Sequence, residues 1–212
     1  MNKFDEIAKE IEKRYQKVRK SHDWEHTQRV YNLCMKIGEK ESADLEILKL
    51  AAVLHDIGRD EQDNSNGKLC HAQRGAVLAR KILEKYNLPQ EQINKIIHCI
   101  ETHRFRGDKI PCSKEAKILY DADKLDAIGA IGIGRAFVFA GEIGAKVHDK
   151  DIDIDNTKSY TEEDTAYREF LVKLKKIKDR MLTEEGRKIA EERHKFMLDY
   201  FERLNKEVEG EL

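Results

Sequence analysis

Apolar positions recur at helical spacing along this chain, and no long run alternates with strand period. Phe4, Ile7, Ala8, Ile11, Tyr15 and Val18 predict an amphipathic helix over 3–18. Ser21 is placed to cap a second helix running to about Gly38, whose stripe is Val30, Leu33, Cys34 and Ile37. His26 lies four residues before Val30 and shares that inward face. The run LEILKLAAVLHDIG is almost continuously apolar, which predicts a central, buried helix over roughly 44–57 that ends in His55 and Asp56. The polar run 60–69 reads as a loop. A helix over 71–86 would turn Gly75, Leu78, Ala79 and Ile82 inward together with His71. One over 90–103 carries Ile93, Ile96, Ile97 and Ile100, with His103 at its inner or terminal edge.

Residues 113–127 predict a further helix with Ala116, Leu119, Tyr120, Asp123 and Ala127 on one face. The glycines at 129, 132, 134, 141 and 144 would let helices, or a backbone and a ligand, approach closely. Residues 149–159 read as a surface loop. Two last helices are expected over 162–180 and 183–206, the second with Ala190, Arg193, Met197, Tyr200 and Leu204 on one face. Only Pro89 and Pro111 interrupt the patterns. The expectation is an all-α chain, 1–212 as one domain, with a core of about 20–140 and a C-terminal extension of about 160–208.

Composition narrows the function classes. With 40 Lys and Arg against 41 Asp and Glu, the net charge is −1, which is no footprint for a nucleic-acid polymer. Small anionic substrates need only a few basic groups and stay open. Cys34, Cys70, Cys99 and Cys112 form no CxxC pair, so a cysteine zinc knuckle is not expected. The N-terminal run MNKFDEIAKEIEKRY has no apolar signal core, and no stretch reaches the roughly 18 apolar residues of a membrane span. The expected setting is a reducing cytoplasm.

Chemistry concentrates in HDWEH at 22–26, HD at 55–56 and DADKLD at 121–126. Each puts a metal-capable group on a face shared with core apolar residues. Buried carboxylates need a partner or a metal, and one divalent cation satisfies all three segments at once. Histidine at a helix C-terminus is favoured by the helix dipole, whereas Asp56 at that end is not. Two imidazoles and two carboxylates suit Mn, Fe, Ni, Co or Zn, with Mg less favoured. No GxSxG, catalytic-cysteine context, P-loop or dinucleotide fingerprint is present.

The segments SHDWEHTQRV, LAAVLHDIGR, HAQRGAVLAR, THRF and DADKLDAIGAIGIGRAF resemble the HD-domain superfamily of metal phosphohydrolases over about residues 20–140. They are most similar to a small bacterial subfamily that includes nucleotide pyrophosphohydrolases. The resemblance implies an HD-domain helical bundle with additional C-terminal helices. It also implies that one divalent metal ion is held by His26, His55, Asp56 and Asp123. Relatives with two further histidines hold a second metal, which here would fall to His71 with His98 or His103. With one firmly held ion, His71 and His103 become phosphate contacts or proton-transfer groups, alongside Asp56 as catalytic residues.

Arg59, Lys124 and Arg135 are candidates for phosphate contacts and Asp126 for a sugar hydroxyl; Asp121 sits on another helix face and ranks lower, as does Arg29. The expected substrate is a small phosphorylated molecule, a nucleotide, with pyrophosphate released from (deoxy)nucleoside triphosphates. Alternatives are a nucleoside monophosphatase or cyclic phosphodiesterase, a di-iron oxygenase of the HD type, and a nucleotide-binding protein without turnover. The charged C-terminal helices suit a homodimer and a solvated surface equally well.

Overall fold

The computed structural model describes residues 2–15, 24–65, 68–104 and 109–212. The expected cap Ser21, together with His22 and Asp23, lies outside them. Among the described residues there are ten α-helices and two short 3₁₀ turns, with no strand, so the chain is all-α as the periodicity requires. It packs as two compact units, Met1–Asp123 and Lys124–Leu212. No described helix is long and apolar enough to cross a membrane.

In the first unit, α1 (Lys3–Tyr15) and α2 (Trp24–Lys40) both pack against α3 (Leu45–Leu54). Seven of the ten residues of α3 are buried, from Ile47 to Leu54. Full burial of such side chains stabilises by about 1.5–3 kcal/mol each, and this anchors the polar pair that follows. Asp44 starts the helix, its carboxylate accepting from the amides of Glu46 and Ile47 at 3.0 and 3.2 Å. The helix ends at Leu54, three residues before the expected limit, so His55 and Asp56 occupy a tight turn.

The segment expected to be a loop contains α4 (Arg59–Asn64). Its polar residues carry no apolar stripe, but Asp60 and Glu61 fill the first turn, where the helix dipole favours acids. Next come α5 (His71–Lys85) and α6 (Gln90–Thr102), which pack on each other; α4 lies against α5, and α3 against α6. The start of α7 (Lys114–Leu125) is fastened to the α2–α3 turn: Lys114 Nζ donates to Glu41 O at 2.7 Å, and Glu115 accepts from the Asp44 amide at 3.1 Å.

The second unit contains α8 (Gly129–Glu142), α9 (Ala166–Val172) and α10 (Glu184–Glu209), with α8 packed against α9 and α10. The helix expected over 162–180 is confined to α9 and two 3₁₀ turns, Leu174–Lys176 and Lys178–Arg180. Thr165 and Thr183 cap α9 and α10, accepting from the amides of Arg168 and Gly186 at 3.0 Å each. A buried ion pair, Arg168 to Asp164 at 2.7 Å, holds the segment before α9. Arg168 also donates to the Thr157 hydroxyl at 2.7 Å and carbonyl at 3.0 Å.

Candidate metal centre

Two of the histidines stand at the same kind of position. His55 follows α3 and His103 follows α6, each as the C-cap residue. The last carbonyls of a helix have no intrahelical partner. His55 Nδ1 donates to Ala52 O at 2.7 Å, and His103 Nδ1 donates to Ile100 O at 2.6 Å. Each ring thus spends its one N–H on a carbonyl three residues back, and each Nε2 is left as a bare lone pair. Both residues are at most 1% exposed.

The two lone pairs face further donors. His55 Nε2 is 3.3 Å from His26 Nε2, and His26 Nε2 is 3.5 Å from Asp123 Oδ1. His103 Nε2 is 3.1 Å from His71 Nε2, and both are 3.5 Å from Asp56 Oδ1. The ligand atoms of His26, His55 and Asp123 lie within 4.8 Å of one another, as do those of Asp56, His71 and His103. Donors held ~2.0–2.2 Å from one ion stand about 3–3.5 Å apart. The observed separations fit that requirement, and converging lone pairs at such distances repel unless a cation lies between them. The residues therefore fit a mono- or binuclear divalent-metal site of mixed nitrogen and oxygen character.

Asp56 connects the clusters. Its Oδ1 faces His71 and His103, and its Oδ2 lies 3.8 Å from His55 Nε2 and 3.9 Å from His26 Nε2. Arg59, one turn on, donates from Nη2 to both oxygens at 3.0 and 2.9 Å. Burial alone would raise the Asp56 pKa; the Arg59 guanidinium and the surrounding imidazoles outweigh it and hold the carboxyl well below its usual range. Burial pushes His55 down to about 4, against the pull of Asp56. His71 is lowered too, chiefly by burial; Asp56 pulls it back up and Arg59 pushes it further down. The imidazoles of His55 and His71 are accordingly neutral at neutral pH, the form that binds metal.

Close backbone packing sets this geometry. A Cβ at Gly58 would collide with the His71 carbonyl and the Gly75 amide nitrogen, and one at Gly75 would stand 3.3 Å from His55 O. Two glycines thus let the turn after α3 rest on the first turns of α5.

The residues expected from sequence divide as follows. His26, His55 and Asp123 converge, while Asp56 groups with His71 and His103. His98 is in neither cluster; its Nε2 accepts from the Cys112 amide at 3.2 Å. Arg59 is pressed against Asp56 and His71. In the second unit, Asp126 Oδ2 accepts from Arg135 Nη1 at 2.7 Å, and Lys124 is largely buried. Asp121, ranked low from its helix face, is fully buried. Sequence reasoning missed Gln62, whose Oε1 accepts from the His71 amide at 3.2 Å and lies 2.8 Å from His71 Nδ1. Nothing in its polar surroundings marks it out.

Comparison with known proteins agrees with this geometry. The HD-domain family model matches residues 23–128. The Bacillus subtilis protein YpgQ, described as uncharacterized, is 41% identical over 194 residues, covering 89% of this chain and 85% of YpgQ. A crystal structure of YpgQ in complex with ADP has a TM-score of 0.73 at 37% identity, covering 95% of this chain and 97% of that one. An HD-superfamily hydrolase from Bacillus thuringiensis has a TM-score of 0.76 at 29% identity, with 98% and 97% covered. With the ordered His, His-Asp and Asp set brought together at ligand spacing, the chain belongs to the HD-domain superfamily of metal-dependent phosphohydrolases.

Proposed function

We propose that this protein hydrolyses nucleotides, releasing pyrophosphate from nucleoside or deoxynucleoside triphosphates. The observation that carries the reading is the pair of His/Asp clusters turned toward each other through the two oxygens of Asp56. The ADP complex of YpgQ supports a nucleotide as the substrate class. The pyrophosphate-releasing step comes from the subfamily resemblance.

In this proposal His26, His55 and Asp123 hold one divalent ion, and Asp56, His71 and His103 a second. A divalent ion there supplies Lewis acidity toward a phosphoryl oxygen and acidifies water for attack at phosphorus. The chain's own groups do the positioning. Carbonyls of α3 and α6 hold the rings of His55 and His103 in their ligating tautomer. Arg59 keeps Asp56 ionised and fixes its plane. If one ion is held rather than two, the imidazoles of His71 and His103 are instead the groups placed to contact the phosphate or transfer a proton. From the sequence pattern, Arg59, Lys124 and Arg135 are proposed to meet phosphate charge and Asp126 a sugar hydroxyl; phosphoryl transfer depends chiefly on such positioning and charge.

The test is incubation of metal-free protein with a panel of nucleoside and deoxynucleoside triphosphates, one divalent metal at a time, with products resolved by phosphorus NMR. Metal-dependent monophosphate plus pyrophosphate is the expected result. Orthophosphate alone would keep the hydrolase and change the bond cleaved; no turnover with any pair would overturn the substrate assignment. The cluster of Asp56, His71 and His103 also favours a second reading, a di-iron oxygenase, because that chemistry needs both added histidines. Two tightly held irons and an oxygen requirement would select it; turnover without oxygen would remove it.

A further inference from the structure

His71 differs from His55 and His103 in how its outer nitrogen is held. Among the described residues no backbone carbonyl takes its Nδ1. Instead Nδ1 lies between two side chains with opposite demands: Gln62 Oε1 at 2.8 Å and Arg59 Nη1 at 3.2 Å. Arg59 can only donate, so it favours a bare Nδ1 and a proton on Nε2. The identity of the Gln62 atom is fixed independently. The His71 backbone N–H donates to the same atom at 3.2 Å, and of the two atoms of a glutamine amide only the oxygen can accept. Gln62 is therefore an acceptor, and it favours a proton on Nδ1.

The two tautomers have different consequences at the other end of the ring. His71 Nε2 faces His103 Nε2 at 3.1 Å and Asp56 Oδ1 at 3.5 Å. With the proton on Nδ1, all three present lone pairs to one point. With the proton on Nε2, the ring donates into that point and cannot ligate. The shortest contact decides between them: lone pairs of Gln62 Oε1 and Nδ1 facing at 2.8 Å repel more than the Nε2 lone pairs of His71 and His103 at 3.1 Å or the N–H donors of Arg59 and His71 at 3.2 Å.

We propose that Gln62 is the positioning residue that selects the ligating tautomer of His71, against Arg59, and thereby sets the affinity of the Asp56–His71–His103 cluster for a divalent cation. The proposal rests on the reading of that cluster as a second metal site. Gln62 belongs to α4 and contacts no expected ligand atom; it acts through the ring it orients.

The test uses the full chain with nitrogen-15-labelled histidine. In metal-free wild-type protein, long-range proton–nitrogen correlation is expected to show His71 protonated at Nδ1. In Gln62→Leu, which keeps bulk and removes the acceptor, the proton should move to Nε2; in Gln62→Glu it should stay on Nδ1. Titration with Mn²⁺ should give two sites in the wild type. One should weaken ~10–100-fold in Gln62→Leu, the range typical of losing an outer partner of a ligating histidine, and recover in Gln62→Glu. The other should not change. A wild-type proton on Nε2, an unchanged tautomer in Gln62→Leu, a single wild-type site, or equal weakening of both sites would each overturn the proposal. The tautomer is read without substrate, so failure of the hydrolase reading shows separately, as a wild-type protein that binds two ions and turns over no nucleotide.

Discussion

His55 and Asp56 are consecutive in the chain but serve different clusters: His55 Nε2 meets His26 at 3.3 Å, while Asp56 Oδ1 turns to His71 and His103. The turn that ends α3 separates the two side chains, and Asp56 Oδ2, 3.8 Å from His55 Nε2, remains within reach of the first cluster. Mutations on either side of this pair therefore have separable consequences.

Replacing His26 with Ala should remove one metal site and leave the other, and replacing His103 with Ala should do the converse. Elemental analysis after dialysis against Mn²⁺ is expected to give one ion per chain in each variant, against two in the wild type. Equal loss of both ions from either variant would contradict the division into two clusters.

Asp56→Asn should affect both clusters at once, because one carboxylate faces each with a different oxygen. It also leaves Arg59, which now donates to both oxygens, without its counter-charge. The loss of metal affinity should exceed the ~10–100-fold typical of an outer-sphere change. Calorimetric titration of the variant checks it, with circular dichroism to confirm helix content.

Gly58→Ala inserts a methyl where the turn meets α5. Overpacking of this kind costs about 1–3 kcal/mol. The larger effect is expected on the second cluster, since relief of the clash must move Asp56 away from His71. Urea denaturation together with metal titration measures both; unchanged stability with two intact sites would mean that the contact is dispensable.

The metal-free protein should lose stability in weak acid. His55 falls to about 4 in the folded chain from an ordinary value of 6.5, and burial is the main cause. A lowered folded pKa means that the unfolded chain takes up the proton first. The contribution of His55 is thus full above pH 6.5 and is lost as the pH falls from 6.5 toward 4. Melting temperatures measured across that interval should decline. A flat profile would show that the ring is solvated rather than buried.

In the second unit, Asp164→Ala would leave Arg168 buried without its carboxylate. Breaking such a pair from one side costs about 3–5 kcal/mol, so the variant should melt well below the wild type. Replacing both residues with apolar ones of similar size should recover much of the loss. Differential scanning calorimetry of the single and double variants distinguishes the two outcomes.

Much of this protein is written in its sequence. The almost continuous apolar run of α3 demanded a central buried helix, because only packing on more than one side covers its seven buried residues. The stripe of Val30, Leu33, Cys34 and Ile37 placed His26 inward, and all four are buried with it. Helical periodicity is local, so one strand of text suffices to read it. The pattern also marked His26, His55, Asp56 and Asp123 as chemistry on core-facing positions. What it could not supply was their partition. The grouping of Asp56 with His71 and His103, the exclusion of His98, and the seat of Arg59 all depend on α5 and α6 reaching the turn after α3. That approach is set by packing between segments distant in the chain, above all at Gly58 and Gly75. The polar run that became α4 shows the same limit. It lacks a stripe of its own; its packing against α5, with the acids of its first turn, makes it a helix that carries Gln62 to His71. Tertiary structure alone decided where each lone pair points, because the acceptors that turn the rings of His55, His71 and His103 are two carbonyls and one side-chain amide that no residue pattern distinguishes from others.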